Sequence, residues 1–291
     1  MKVWFWGTRG SLATAGPETV RYGGNTACVE LRAEGAPLVV LDAGSGIRAL
    51  GATLGEDLPR IDILLSHLHM DHVQGLGFFA PLFRPGLEVH IWGPPSTTLS
   101  LRERLTRYLS PPLFPVALRD LASNLVLHDV PTQEPFELGS LTVTAALVIH
   151  PGPTVGYRIT DGRTTLSYLP DHEPALGSRD FPEPAQWSSG FALAEGADLL
   201  IHDAQYTEAE YVERVGWGHS TLEHATGFAA AARVRQLATF HHDPTHDDAT
   251  IDKLLESVDP GGMDVFGAKE GMEVAVAADG PQPRRRSDPA P

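Results

Sequence analysis

His67-Leu68-His69-Met70-Asp71-His72 sets three imidazoles and a carboxylate within six residues, directly after the apolar run Ile61-Asp62-Ile63-Leu64-Leu65-Ser66. Imidazole nitrogens and carboxylate oxygens are the donor set that suits Zn²⁺ and its neighbours. In a loop leaving a strand, His67 and His69 can face the same way and grip one ion. Asp71 and His72 are then displaced enough to grip a second. Structural zinc sites are often closed by thiolates, and this chain has one cysteine, Cys28. The chemistry such a pair of ions supplies is activation of water and clamping of a phosphoryl oxygen.

Further donors stand at the ends of other apolar runs. His150 follows Val148-Ile149, Asp171 ends Leu166-Ser167-Tyr168-Leu169-Pro170, and Asp203 lies in Leu199-Leu200-Ile201-His202-Asp203. His219 stands in Gly218-His219-Ser220-Thr221, and His241 in Thr239-Phe240-His241-His242. The elements that must position them read as strands at 2–6, 26–32, 37–42, 61–66, 88–92, 141–149, 155–160, 164–169, 198–202, 236–240 and 272–277. Several are continuous apolar runs, as expected of a sheet covered on both faces. Helices are expected at 73–80, 98–109, 207–214, 221–233 and 247–257, and a hairpin turn at Asp161-Gly162-Arg163. The pattern is that of a mixed α/β domain over 1–278. Within it, 81–135 is richer in proline and reads as a surface excursion, lid or dimer contact that places Tyr108 or Phe114 near the pocket. The Pro- and Arg-rich stretch 279–291 is expected to be disordered.

Composition narrows the partners. The chain has 291 residues, 42% hydrophobic and 20% charged, ordinary values for a globular protein with a sizeable core. No apolar stretch approaches the ~20 residues that span a bilayer, and the first residues enter an apolar strand without a signal-peptide pattern. With one cysteine no internal disulfide forms, and the cytoplasm is the expected compartment. Twenty-two Lys and Arg face 37 Asp and Glu, a net charge of −15. Nucleic-acid backbones are bound by clustered cations, so a small anionic substrate is expected over a long polyanion.

The ordered series of donors resembles the metallo-β-lactamase superfamily from Gly7-Thr8-Arg9-Gly10-Ser11 to about Asp248. His219-Ser220-Thr221, followed by a helix and a final histidine, is similar to the phosphodiesterase branch that includes the tRNA 3′-end endonuclease RNase Z. The resemblance implies an αββα sandwich with two metal ions, Zn²⁺ first and Mn²⁺ next, held by loops at one edge. By position, His67, His69 and His150 would hold one ion, and Asp71, His72 and His241 the other. Asp171 would bridge them beside a shared hydroxide, which Asp71 would also aim. His219, oriented by Asp203, would protonate the leaving oxygen; RNase Z usually has glutamate at that position. Relatives are commonly dimers, so a homodimer is expected.

The implied function is a binuclear phosphodiesterase acting on a small phosphodiester such as a cyclic nucleotide. The alternatives are tRNA 3′-end processing, a lactonase or other ester hydrolase, and a non-catalytic binding relative. RNase Z grips tRNA with a glycine-rich basic arm that has no counterpart here. Among the other residues, Asp42 is expected to support the metal-binding loops, His172 could reach the pocket, and His242 should point away from it. Asn25-Thr26 reads as a turn, and Arg9 could meet a substrate phosphate.

Overall fold

The computed structural model describes residues 1–174, 176 and 185–276, with the backbone of 284–285. Strands β1 (Lys2–Gly7), β2 (Cys28–Arg32), β3 (Leu38–Leu41), β4 (Arg60–Leu64), β5 (Glu88–Gly93) and β6 (Asn124–Asp129) run across one sheet. A second sheet takes β7 (Phe136–Leu138), β8 (Leu141–Leu147), β9 (Val155–Thr160), β10 (Thr165–Leu169), β11 (Leu199–Asp203), β12 (Gln236–Phe240) and β13 (Asp264–Gly267). The chain then returns to the first sheet with β14 (Met272–Ala275) and β15 (Arg284–Arg285). The spatial orders are β15-β14-β1-β2-β3-β4-β5-β6 and β13-β12-β11-β10-β9-β8-β7. Each sheet is antiparallel on one side and parallel on the other, the parallel parts being β3 to β6 and β10 to β13.

Strand alternation builds the layers. In β3, Val39 and Leu41 enter the core between the sheets, while Leu38 and Val40 face a second cluster on the outer side. That outer cluster packs beneath α1 (Ile47–Thr53), α2 (Met70–Val73) and α3 (Leu101–Thr106). On the other sheet, Leu200 and Leu237 turn outward onto Phe191 of α4 (Phe191–Ala194), while Ile201 and Ala238 turn inward. A short α5 (Glu208–Tyr211) precedes α6 (Leu222–Ala231), whose Phe228 and Ala229 join that outer cluster; α7 (Asp248–Ser257) lies against β13. The result is the αββα sandwich of the metallo-β-lactamase fold. No helix among the described residues is long and apolar enough to cross a membrane.

Three local expectations are corrected. The helix at 73–80 is instead the one-turn α2 followed by 3₁₀ turns at Leu76–Phe78 and Ala80–Phe83. Gly75, Gly77 and Pro81 interrupt the α-helical ladder there. Second, 81–135 is not a wholly external excursion, because β5 and β6 inside it are strands of the first sheet. Third, α1, β6, β7 and β13 carry no expected element, and the expected helix at 207–214 shortens to α5. The turn at 161–163 does join β9 to β10, with the Asp161 carboxylate accepting from the Arg163 and Thr164 amides. The 279–291 tail lies outside the described residues except for 284–285, whose backbone pairs with β14.

Phe240 of β12 packs against Phe5 of the opposite sheet at 6.1 Å between ring centroids and against Tyr168 at 5.9 Å. Phe240→Ala should therefore lower unfolding stability by about 3–5 kcal/mol, read from urea denaturation. A loss under about 1 kcal/mol would mean that the two sheets do not share this core.

Candidate metal centre

The carboxyl ends of the parallel strands meet at one rim of the sandwich. Asp42 follows β3, Ser66 and His67 follow β4, Asp171 follows β10, Asp203 closes β11, and His241 follows β12. Ligand sites in α/β sheets collect at such ends because every loop there can aim at one point. His69, Asp71 and His72 come from the start of α2, His150 from the loop after β8, and His219 from the loop before α6.

These loops bring all seven metal-ligand candidates together in two groups, His67 with His69 and His150, and Asp71 with His72, Asp171 and His241. The ring nitrogens are directed by acceptors behind them. Ser66 Oγ donates to Asp42 at 2.8 Å and so accepts from His67 Nδ1 at 3.0 Å. His72 Nδ1 donates to Asp42 Oδ2 at 2.8 Å, His150 Nδ1 to the Gly218 carbonyl at 2.8 Å, and His241 Nδ1 to Gln205 Oε1 at 3.0 Å. In each neutral ring this leaves the Nε2 lone pair aimed inward. His69 faces the site with Nδ1, 3.1 Å from His150 Nε2.

The fit to cations follows from buried donor atoms turned toward one another. His67 Nε2 is buried without a hydrogen bond, and Asp171 Oδ1 is buried 3.0 Å from His72 Nε2. Asp171 Oδ2 stands 3.7 Å from His67 Nε2, 3.8 Å from His150 Nε2 and 3.3 Å from His241 Nε2, between the two groups. Lone pairs converging at such distances repel one another unless protons or cations intervene.

The two halves differ electrostatically. Burial, with little compensation from carboxylates, pushes His67 well down and His150 to about 4. Burial also opposes the charge on His72 and His241, but Asp171, Asp71 and Asp42 outweigh it at His72 and carry its pKa well up. At His241, Asp171 and Asp71 win over burial and raise it to about 9. Asp71 and Asp171 are held far below the ordinary carboxylate range, the imidazolium neighbours outweighing burial.

His219 stands beside this group. Its Nδ1 lies 2.6 Å from Asp203 Oδ2, and its ring stacks on His241 at 4.9 Å. Among the described residues its Nε2 takes no hydrogen bond. Asp203 is itself fixed by the amides of Gln205 and Ser220 on Oδ1. Thr221 caps α6 by accepting from the His224 amide, which anchors the residues just after His219.

Strain and close approach are concentrated here. Ser11, Asp42 and His241 adopt left-handed φ values of 58°, 58° and 59°, conformations non-glycine residues hold only when their surroundings over-determine them. Ser11 uses that turn to donate its amide to Asp71 Oδ2 at 2.7 Å. A Cβ on Gly10 would come within 2.3 Å of the His241 ring, so only glycine admits that imidazole.

The structure corrects the reading of Arg9 as a substrate contact. Arg9 is fully buried and donates to the carbonyls of Gly23, Asp243 and His246, tying the N-terminal loop to the segment after β12. His172 also turns away, with Nδ1 3.0 Å from His202 Nε2 and its ring against Phe228. His242 points away from the donors as expected, buried against Tyr22 and on the Ala268 carbonyl, although the backbone at His241 is left-handed and not strand-like. Asp42 supports the loops as expected. Ser66, Tyr168, Gln205 and Glu173 were not anticipated. Glu173 is buried and accepts from the Tyr211 hydroxyl and the Gly216 and Gly218 amides, fixing the loop that leads to His219. A buried tyrosine in the apolar run of β10 was the one visible signal.

Residues 38–242 match the family model described as a beta-lactamase superfamily domain. The chain belongs to the metallo-β-lactamase superfamily. It is 27% identical over 262 residues to ribonuclease Z of Thermosynechococcus vestitus, covering 75% of this chain and 62% of that protein. It is 31% identical over 226 residues to an uncharacterized protein of Mycobacterium tuberculosis, covering 74% of this chain and 73% of that one. The metallo-beta-lactamase fold protein YhfI of Bacillus subtilis superposes with a TM-score of 0.69 at 21% identity, covering 94% of this chain and 99% of that one. The superfamily's hydrolases give the His/Asp cluster its coarse meaning as a metal centre.

Because His72 and His241 hold protons up to well above neutrality, metal uptake near pH 7 should release protons. Affinity should fall as pH is lowered, since each proton then competes with the ion. Calorimetric titration of metal-free protein with Zn²⁺ in buffers of different ionisation enthalpy reads this directly; heats independent of buffer would contradict the assignment. In the metal-free protein the raised His241 adds stability in full below its ordinary 6.5, and that contribution is lost as pH rises through about 9.

Proposed function

We propose that this protein is a binuclear metal-dependent phosphodiesterase acting on a small phosphodiester, a cyclic nucleotide being the leading class. The observation that carries the reading is the placement of a carboxylate-bound imidazole, His219 on Asp203, with Nδ1 3.9 Å from Asp171 Oδ2 at the edge of the seven-donor cluster. His67, His69 and His150 would hold one ion, Asp71, His72 and His241 the second, and Asp171 both. Zn²⁺ suits this nitrogen-rich donor set, with Mn²⁺ next. Such ions supply Lewis acidity toward a phosphoryl oxygen and lower the pKa of water.

The protein's own groups account for the remainder. Asp71, with one oxygen held by the Ser11 amide, orients the attacking water. Asp203 accepts from His219 Nδ1–H and would stabilise the ring as imidazolium, whose Nε2–H would deliver its proton to the leaving oxygen and leave the ring neutral. Sequence relation to ribonuclease Z favours tRNA processing as the second reading. The net charge of −15 weighs toward the smaller substrate. We further propose a cytoplasmic homodimer built on a single 1–278 domain. A monomer mass in light scattering at micromolar concentrations would remove the dimer.

Metal-loaded protein should contain two ions per chain by elemental analysis and hydrolyse bis(p-nitrophenyl) phosphate and cyclic nucleotides faster than unprocessed tRNA. Saturation at one ion would refute the binuclear assignment, and preferential cleavage of tRNA would select the second reading.

His219→Ala should keep both metals and lose ~10²–10⁴-fold in turnover on substrates with poor alkoxide leaving groups. The loss should shrink for p-nitrophenolate, which departs without a proton, and Asp203→Asn should show a weaker version of the same pattern. An equal loss on both leaving groups would assign His219 to positioning instead.

A further inference from the structure

Two cavities adjoin on the His69 side of the centre. The nearer, about 280 Å³, is lined by His67 and His69; the farther, about 350 Å³, by Met70, Tyr108 and Leu113. Leu68, Arg104 and Arg107 line both, so the two form one groove leading away from the metal ligands. Its far wall is apolar and open to solvent, with Met70 54% and Leu113 71% exposed.

The guanidinium groups of this groove are donors, set beside the hydroxyls of Ser96, Thr98 and Tyr108. α3 begins in a capping box between Ser100 and Glu103, which fixes the helix that presents Arg104 and Arg107 three residues apart on one face. Arg104 is largely buried and donates from one Nη to the Pro94 carbonyl at 2.7 Å and, more weakly, to the exposed Asp129 carboxylate at 3.5 Å. Its Nε is buried with no acceptor among the described residues. A buried N–H without a partner is uncommon in folded proteins and asks for an acceptor from outside. Arg107, exposed, makes no hydrogen bond or ion pair among the described residues and lies at the junction of the cavities. In a chain of net charge −15 these two cations stand beside the reaction site. No Asn, Gln, Asp or Glu lines either cavity among the described residues.

We propose that this groove is the base subsite of a nucleotide phosphodiester and that Arg104 and Arg107 select guanine. The occupant needs a flat apolar face for Leu68, Met70 and Leu113, and an acceptor edge for guanidinium. Guanine offers N7 and O6, the pair that an arginine fork meets in the commonest base-specific contact. Adenine places an N6 amino donor where guanine has O6, opposite the guanidinium donors, while the Ser96 and Thr98 hydroxyls of the lining bond to each other. This inference rests on the phosphodiesterase reading for the identity of the group held at the metal side.

Calorimetric titration of the metal-loaded full chain with GMP and with AMP tests the subsite without turnover. GMP should bind roughly 5- to 150-fold more tightly, the range of one bidentate arginine–guanine contact. Arg107→Ala should bring the ratio close to one, whereas Arg102→Ala, on the same helix but outside the groove, should keep it. Equal affinities in the parent protein, or a preference that survives Arg107→Ala, would overturn the proposal. Hydrolysis of bis(p-nitrophenyl) phosphate reports separately on the reaction. Turnover without base preference removes the subsite alone; base-selective binding without turnover keeps the subsite and removes the phosphodiesterase reading.

Discussion

The Asp42 carboxylate holds the two sheets and the metal-ligand loops in one register. It is fully buried at the end of β3 and receives four donors: the Ser66 amide at 2.7 Å, the Ser66 hydroxyl at 2.8 Å, His72 Nδ1 at 2.8 Å and the Tyr168 hydroxyl at 2.8 Å. Ser66 and His72 belong to the first half of the chain, and Tyr168 comes across from β10 of the second sheet. One buried charge thus orients His72 directly and His67 through Ser66, and binds both to the opposite layer. A buried carboxylate is tolerated only when such donors replace its lost hydration. The left-handed backbone at Asp42 is held by the same bonds.

From that joint outward the centre divides by charge. One half offers three imidazoles and no carboxylate of its own; the other offers two imidazoles and two carboxylates, with Asp171 between the halves. Burial, aided by neighbouring imidazoles, outweighs Asp171 in the first set and keeps it neutral, the state a metal needs. In the second set ion pairing wins over burial, so protons occupy places that cations would take. The two groups of donors therefore differ in how strongly protons would compete with a cation, with Asp171 standing between them.

The fold and the metal donors are common property of the superfamily, and fold alone does not choose a substrate. Glu173 fixes the loop before His219 on one side, and α3 with Arg104 and Arg107 forms the wall on the other. Glu173 lies in the loop after β10, and α3 in the stretch after β5.

The sequence by itself determined the candidate metal donors and the positions of most strands. The H-x-H-x-D-H spacing and the donors ending apolar runs are local patterns, set by strand alternation and by the sharp exits of loops from strands, so they can be read one segment at a time. Asp42 was legible for the same reason. Tertiary structure decided what depends on distant partners. Gln205 orients His241 across 36 residues and Tyr168 reaches Asp42 across 126, contacts with no periodicity to announce them. Arg9 stood in a glycine-flanked loop that looked open to an anion, yet the segment after β12 closes over it, taking Nη1 with the Asp243 and His246 carbonyls and setting Asp248 3.8 Å from Nη2. The short β6, β7 and β13 exist only because a neighbouring strand offers them hydrogen bonds. Local propensity is too weak in three to six residues to fix a strand, and sheet pairing supplies what it lacks.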